Sequence, residues 1–166
     1  MLLSALLDRT LPGCSEASPA RVVHLFNLPS LLAAAEAVAS GGSPHSASAW
    51  HDWLDSNLPP SITTSLEWPV SRWRIQALLA LRAGHERLAR RDFERAIQWA
   101  TDASYPIELA AAQIQLAELL CHRDVGAELT RRELRDRGSD SLRAAGLDPT
   151  IFAYAVARTA PCPGGS

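Results

Sequence analysis

The run Ala83-Gly84-His85-Glu86-Arg87-Leu88-Ala89-Arg90-Arg91-Asp92-Phe93-Glu94-Arg95-Ala96-Ile97-Gln98-Trp99-Ala100-Thr101-Asp102-Ala103 decides the fold. Upstream of it and into it, Trp73, Ala77, Ala80, Leu81, Gly84 and Leu88 recur at spacings of three and four, which predicts one face of a helix over 71–90. Asp92 stands where it can cap a second helix. The inward face of that helix is Phe93, Ala96, Ile97, Ala100 and Ala103. On this reading Gly84 falls in mid-helix, where glycine costs about 1 kcal/mol relative to alanine. Close approach of a neighbouring helix offsets the cost, and Ala96 and Ala103 supply the matching small surface. Gly84, Phe93, Ala96 and Ala103 are therefore the expected structural helix contacts. A single hairpin of this kind leaves part of its apolar stripe uncovered, so it needs another stacked against it.

Working outward, Ser104-Tyr105-Pro106 breaks the pattern, and proline suits a first helical position. A third helix follows over 107–121, with Leu109, Ala112, Gln113, Leu116, Ala117 and Leu120 along its stripe. Asp124 opens a fourth, and Gly138 is placed to end it. A short turn of helix over 140–145 stops at Gly146, Asp148-Pro149 starts a last helix reaching 158, and 159–166 is expected to be a disordered tail. On the amino-terminal side, 28–40 has leucine and alanine at helical density. The Gly, Ser and Pro residues of 41–48 read as a flexible linker. A short helix over 49–57 carries Trp50 and Trp53 one turn apart, and Pro59-Pro60 ends it. No period-two run with β-branched residues occurs, so the expected fold class is all-α. The expected organisation is an irregular helical block over 1–70 and antiparallel stacked hairpins over 71–158.

The residues from Ala83-Gly84 through Arg91-Asp92-Phe93-Glu94-Arg95-Ala96 to Ala103 resemble one tetratricopeptide repeat. Ile107-Glu108-Leu109-Ala110 to Leu119-Leu120 resembles the first helix of the next, with Ala117 about one repeat period after Gly84. The wording of Gln115-Leu116-Ala117-Glu118-Leu119-Leu120 is closest to the degenerate repeats of large bacterial ATP-binding transcriptional regulators and nucleotide cyclases. The family's usual large residues stand here as Ala80, Ala83, Arg87 and Ala100, and its repeat-closing proline position is Glu108. The resemblance spans about residues 71–137. It implies a non-catalytic protein-protein interaction scaffold in bacterial signalling or transcriptional regulation, with a peptide or protein partner docked on the hairpin surface.

Composition narrows the chemistry further. The chain has 166 residues, which is one domain's worth and enough to bury a core without metal or disulfide. All its basic residues are arginine, so lysine-dependent phosphate loops and Schiff bases are excluded. Cys14, Cys121 and Cys162 form no close-spaced pair, which predicts free thiols and a reducing, cytoplasmic setting. No apolar run is long enough for a membrane span, and the Met1–Leu7 opening does not read as a secretion signal. The net charge of −2 makes nucleic acid an unexpected partner. Residues 1–71 hold two arginines and six acids, whereas 72–137 hold twelve and ten, so the middle of the chain is a charged helical block.

The expected partner-binding residues are Trp50, Trp53 and Trp73, which serve either as aromatic anchors for a partner or as a local core where the amino-terminal block docks onto the hairpins, with Gln76, Arg82, Arg87, Gln113 and Glu118 off the apolar stripe. Oligomeric state is left open. No cofactor, metal or catalytic residue is expected. His45, His51 and Asp55 place only two groups on one rigid element, and no Gly-x-Ser-x-Gly elbow is present. The alternative function is a small DNA-binding regulator using a helix-turn-helix-like segment over 141–158. Its would-be reading helix, Thr150 to Ala157, is nearly all apolar, which suits burial better than base contact.

Overall fold

A computed structural model describes residues 28–58, 71–120 and 128–157, and every regular element among them is a helix. The elements are α1 (Leu28–Gly41), α2 (Pro44–Asn57), α3 (Arg72–Arg82), α4 (Glu86–Asp102), α5 (Pro106–Leu119), α6 (Glu128–Ala144) and α7 (Thr150–Ala157). The protein is therefore all-α, as its periodicity predicts. The expected tail over 159–166, Asp124 and the three cysteines lie outside the described residues.

Local chemistry sets many of the helix ends. Ser43 caps α2, its hydroxyl accepting from the Ser46 amide at 3.1 Å, and Pro44 occupies the first turn. The predicted linker over 41–48 is thus reduced to Gly42 and Ser43, because the serine and proline begin a helix there instead of spacing two. Pro106 opens α5 in the same way. Three helices end in one shared turn: Gly84, Ser104 and Gly146 take φ of 85°, 58° and 75°. Beyond each, an amide reaches back five residues, from His85 to Ala80, Tyr105 to Ala100 and Leu147 to Leu142, at 2.8–2.9 Å. This is the left-handed helix stop that favours glycine.

Gly84 is consequently exposed in the α3–α4 turn, with nothing within 4 Å of where a Cβ would stand. The expectation that it lets two helices approach is overturned, since the first hairpin reverses at residues 83–85, not near 91. Ala103 is also exposed, at the end of α4, and makes no helix contact of the expected kind. Phe93 and Ala96 are fully buried on the inner face of α4, as expected.

The close approach exists at another glycine. Gly138, expected to end a helix, lies within α6, where a Cβ would stand 2.8 Å from the Ala110 carbonyl oxygen and 2.8 Å from Ile114 Cγ1 of α5. Gly138→Ala gains about 1 kcal/mol of helix propensity and loses about 1–3 kcal/mol to overpacking. A lowered urea midpoint is expected, and a raised one would contradict the packing.

The centre of the molecule is α3, which packs against α1, α2, α4 and α7. All its residues except Trp73 and Arg82 are buried. Ile75 and Leu79 join Val38, Trp50, Leu54 and Phe93 in one core, so the amino-terminal helices and the region from 71 onward share it. A smaller cluster of Ala110, Ile114 and Leu142, flanked by Phe152, ties α5 to α6 and α7. An all-round buried helix ordinarily carries only apolar side chains. Here Arg72, Arg74 and Gln76 are buried within it, and their partners determine what surrounds them.

Candidate functional site

The first turn of α3 and the last two turns of α4 form a surface groove of 400 Å³, lined by Arg72, Trp73, Arg95, Gln98, Trp99 and Asp102. Arg95, Gln98, Trp99 and Asp102 share one face of α4, because spacings of three, four and seven stack on a helix. The opposite face buries Phe93, Ala96 and Ala100, which turns this stripe outward. Trp99 is half-buried and leans on Tyr105 with ring centroids 5.3 Å apart. Gln98 donates to Asp102 at 2.9 Å. A larger depression at residues 84–88 is lined by one continuous stretch, the α3–α4 turn and the first residues of α4, so it offers a single wall.

Arg72 anchors the groove's inner wall. Its guanidinium donates to the carbonyls of Leu54 and Leu58, lies 3.6 Å from Asp55 and stands 5.6 Å from the Trp73 ring centroid. Burial holds it below its ordinary value, opposed by Asp55 and Asp92. Among the described residues, Arg72 Nε, Ser71 Oγ and Gln76 Oε1 are buried without a hydrogen-bond partner. Such orphan groups carry a desolvation cost that an apolar helix would avoid.

Behind the groove sits Asp92, 1% exposed. One carboxylate oxygen lies 3.1 Å from His51 Nε2 of α2, and the other 3.3 Å from Arg91 Nε and 3.6 Å from Arg95. Asp92 is thus not the helix cap its sequence position suggests. It is an interior group that fastens α2 to α4 and holds Arg95 at the groove rim. The Asp92 hydrogen bond raises His51 above its ordinary 6.5, against burial and with help from the charges of Asp92 and Asp52. A raised folded-state value means that protonated His51 contributes stability fully below 6.5. That contribution is lost as pH rises through the folded value. The thermal midpoint should therefore fall as pH climbs above neutrality, and His51→Gln should remove that part of the slope. Parallel pH profiles for the two proteins would contradict the pairing.

The expected partner-binding residues are scattered. Trp50 is fully buried and Gln76 is 1% exposed, so both belong to the core. Of the two roles open to this tryptophan, the structure gives Trp50 the core one: it turns inward and meets Trp53 edge-on, centroids 6.3 Å apart. Gln76 fails as a contact because α3 has no solvent face there; its amide points at the His51 carbonyl and Asp55. Trp53 is half-buried against the core. Arg82 donates to the Gly42 carbonyl. Gln113 lies under Gly138, and Glu118 pairs with Arg135, so both face α6. Arg87 is exposed at the start of α4. Only Trp73 lines the groove. The sequence does not single out Arg72, Gln98, Trp99 or Asp102, although the outward stripe of α4 is legible as the complement of Phe93, Ala96 and Ala100.

His45, His51 and Asp55 do not converge: His45 is exposed, His51 is buried against Asp92, and Asp55 reaches toward Arg72 and Gln76. Among the described residues no group of three or more His, Cys, Asp or Glu side chains could hold a metal ion. In the 141–158 segment, Phe152 and Ala153 pack toward α5 and α6, Val156 joins the main core, and Ile151 is 64% exposed. No described helix is long and apolar enough to cross a membrane. Compared with protein-family models, curated proteins and solved structures, the chain matches none of them.

Proposed function

We propose that this protein is a non-catalytic helical scaffold whose working surface is the groove between α3 and α4. The observation that carries the reading is the pair of half-buried indoles, Trp73 and Trp99, held on two packed helices and flanked by Arg95 and Asp102. Tryptophan and arginine on a rigid support are the side chains that most often dominate the affinity of a protein interface. A partner's surface lies against the two indoles, and its charged groups pair with the guanidinium and carboxylate at the two ends. The three-residue connections that join α3 to α4 and α4 to α5 suit stacked hairpins of tetratricopeptide type. A place in bacterial signalling or transcriptional control belongs to the proposal through that resemblance.

The test is capture by the immobilised full chain, with and without Trp73→Ala and Trp99→Ala together, followed by mass spectrometry of everything retained, its own untagged copy included. Each tryptophan is expected to contribute about 30-fold in affinity, while the thermal midpoint changes little. Undiminished recovery by the folded double variant would overturn the assignment.

A further inference from the structure

We propose that the occupant of this groove is a second copy of the same chain, bound across a two-fold axis that passes between Gln98 and Trp99 of α4. The inference rests on the docking reading above and names its partner. Its basis is the order of charges along one helix. Arg95 and Asp102 lie seven residues apart on a single stripe, so a guanidinium and a carboxylate stand about 10 Å apart along the axis, with Gln98 and Trp99 between them. A two-fold contact requires that if residue i meets residue j, then j meets i. When this stripe is laid antiparallel on its own copy, each Arg95 faces the other copy's Asp102, and each Trp99 faces the other copy's Gln98. A partner of uniform charge would leave one end of the groove against its own sign.

The remaining charges on the outer side of α4 do not spoil the match. Arg90 and Glu94 pair with each other at 3.0 Å, one turn apart. Arg91 is directed at buried Asp92. Arg95 also lies 3.6 Å from Asp92, which restrains it at the rim before any partner arrives and so lowers the ordering cost of binding. The helix has 17 residues and is therefore about 25 Å long. Two such helices side by side cover less than the roughly 1,200 Å² of a standard stable interface, which sets the expectation of a weak, reversible dimer.

Sedimentation velocity on the full chain, from roughly 1 to 500 μM, is the deciding measurement, with a dissociation constant expected on the order of 10 μM. Arg95→Asp and Asp102→Arg should each weaken self-association by at least about 30-fold, since two unlike contacts become two like ones. Mixing the two variants should restore a dimer. One copy then presents two acids and the other two guanidiniums, so both contacts are attractive again. Circular dichroism establishes that each variant is folded. Should Arg95→Asp fail to fold beside Asp92, Asp102→Arg at the exposed end still decides the question. A wild type that is monomeric throughout, an Asp102→Arg variant that associates as tightly as wild type, or folded variants that do not combine would each overturn the proposal. A monomeric wild type that still captures other proteins through Trp73 and Trp99 would remove the second copy and leave the docking surface standing.

Discussion

Replacing Glu108 with alanine is expected to cost about 3–5 kcal/mol of folding stability, because it strands a buried cation. Arg74 is 4% exposed and Glu108 3% exposed, and the guanidinium Nε donates to the carboxylate at 2.8 Å. The same oxygen accepts the Ser71 amide at 2.7 Å. The remaining acceptors near Arg74 are weaker: Gln115 at 3.5 Å and half-exposed Glu36 at 3.8 Å. Burial pushes the Glu108 carboxyl up, opposed by Arg74 and the Ser71 amide, so ionising it inside the protein carries a cost. The pair therefore acts by specifying how α3 and α5 meet more than by adding net stability. Against a typical total of about 5–15 kcal/mol, losing one partner leaves a marginal fold. The thermal midpoint should drop by about 6–20 °C. Arg74→Met combined with Glu108→Leu should recover most of the loss, as apolar replacements of buried ion pairs often do. Urea denaturation of the single and double variants checks both expectations; a loss below about 1 kcal/mol for Glu108→Ala would mean that Glu36 and Gln115 suffice for Arg74.

Trp50→Ala is expected to cost about 3–5 kcal/mol, the range for emptying a large aromatic site in a core. Its side chain is fully buried in the cluster that joins α1 and α2 to α3 and α4. Trp99→Ala, at the half-buried groove wall, should cost far less. Comparing the two by chemical denaturation separates the tryptophan that builds the molecule from the one that presents itself to a partner. Equal losses at the two positions would mean that the groove wall is itself core.

Helix type and several helix ends were legible because the signals are local. Pro106, Gly146 and the run over 28–40 each act through their immediate neighbours. The misreadings have one cause, which is that the deciding partner lies far away in sequence. A glycine within a periodic run can stop a helix or admit a neighbour, and nothing near Gly84 or Gly138 says which. At Gly84 the usual start signal for the next helix is missing, since the His85 side chain makes no capping bond. Asp92 supplied a false signal seven residues later, and its true partner is His51, 41 positions upstream. The arginines of α3 were hidden for a similar reason. Hydropathy places Arg72 and Arg74 in water, and only Glu108, 34 positions beyond Arg74, reveals otherwise. The groove combines the first turn of one helix with the last turns of another, so periodicity within either helix leaves it unseen.

The separation between Arg74 and Glu108 also imposes an order on biosynthesis. A ribosome adding about 5–20 residues per second needs about 2–7 s to cover those 34 positions. Throughout that interval the nascent central rod carries a guanidinium whose main, buried counter-charge has not yet been polymerised, with half-exposed Glu36 as its weaker substitute. The earlier helices can gather, but closing over that guanidinium is costly until Glu108 of α5 emerges.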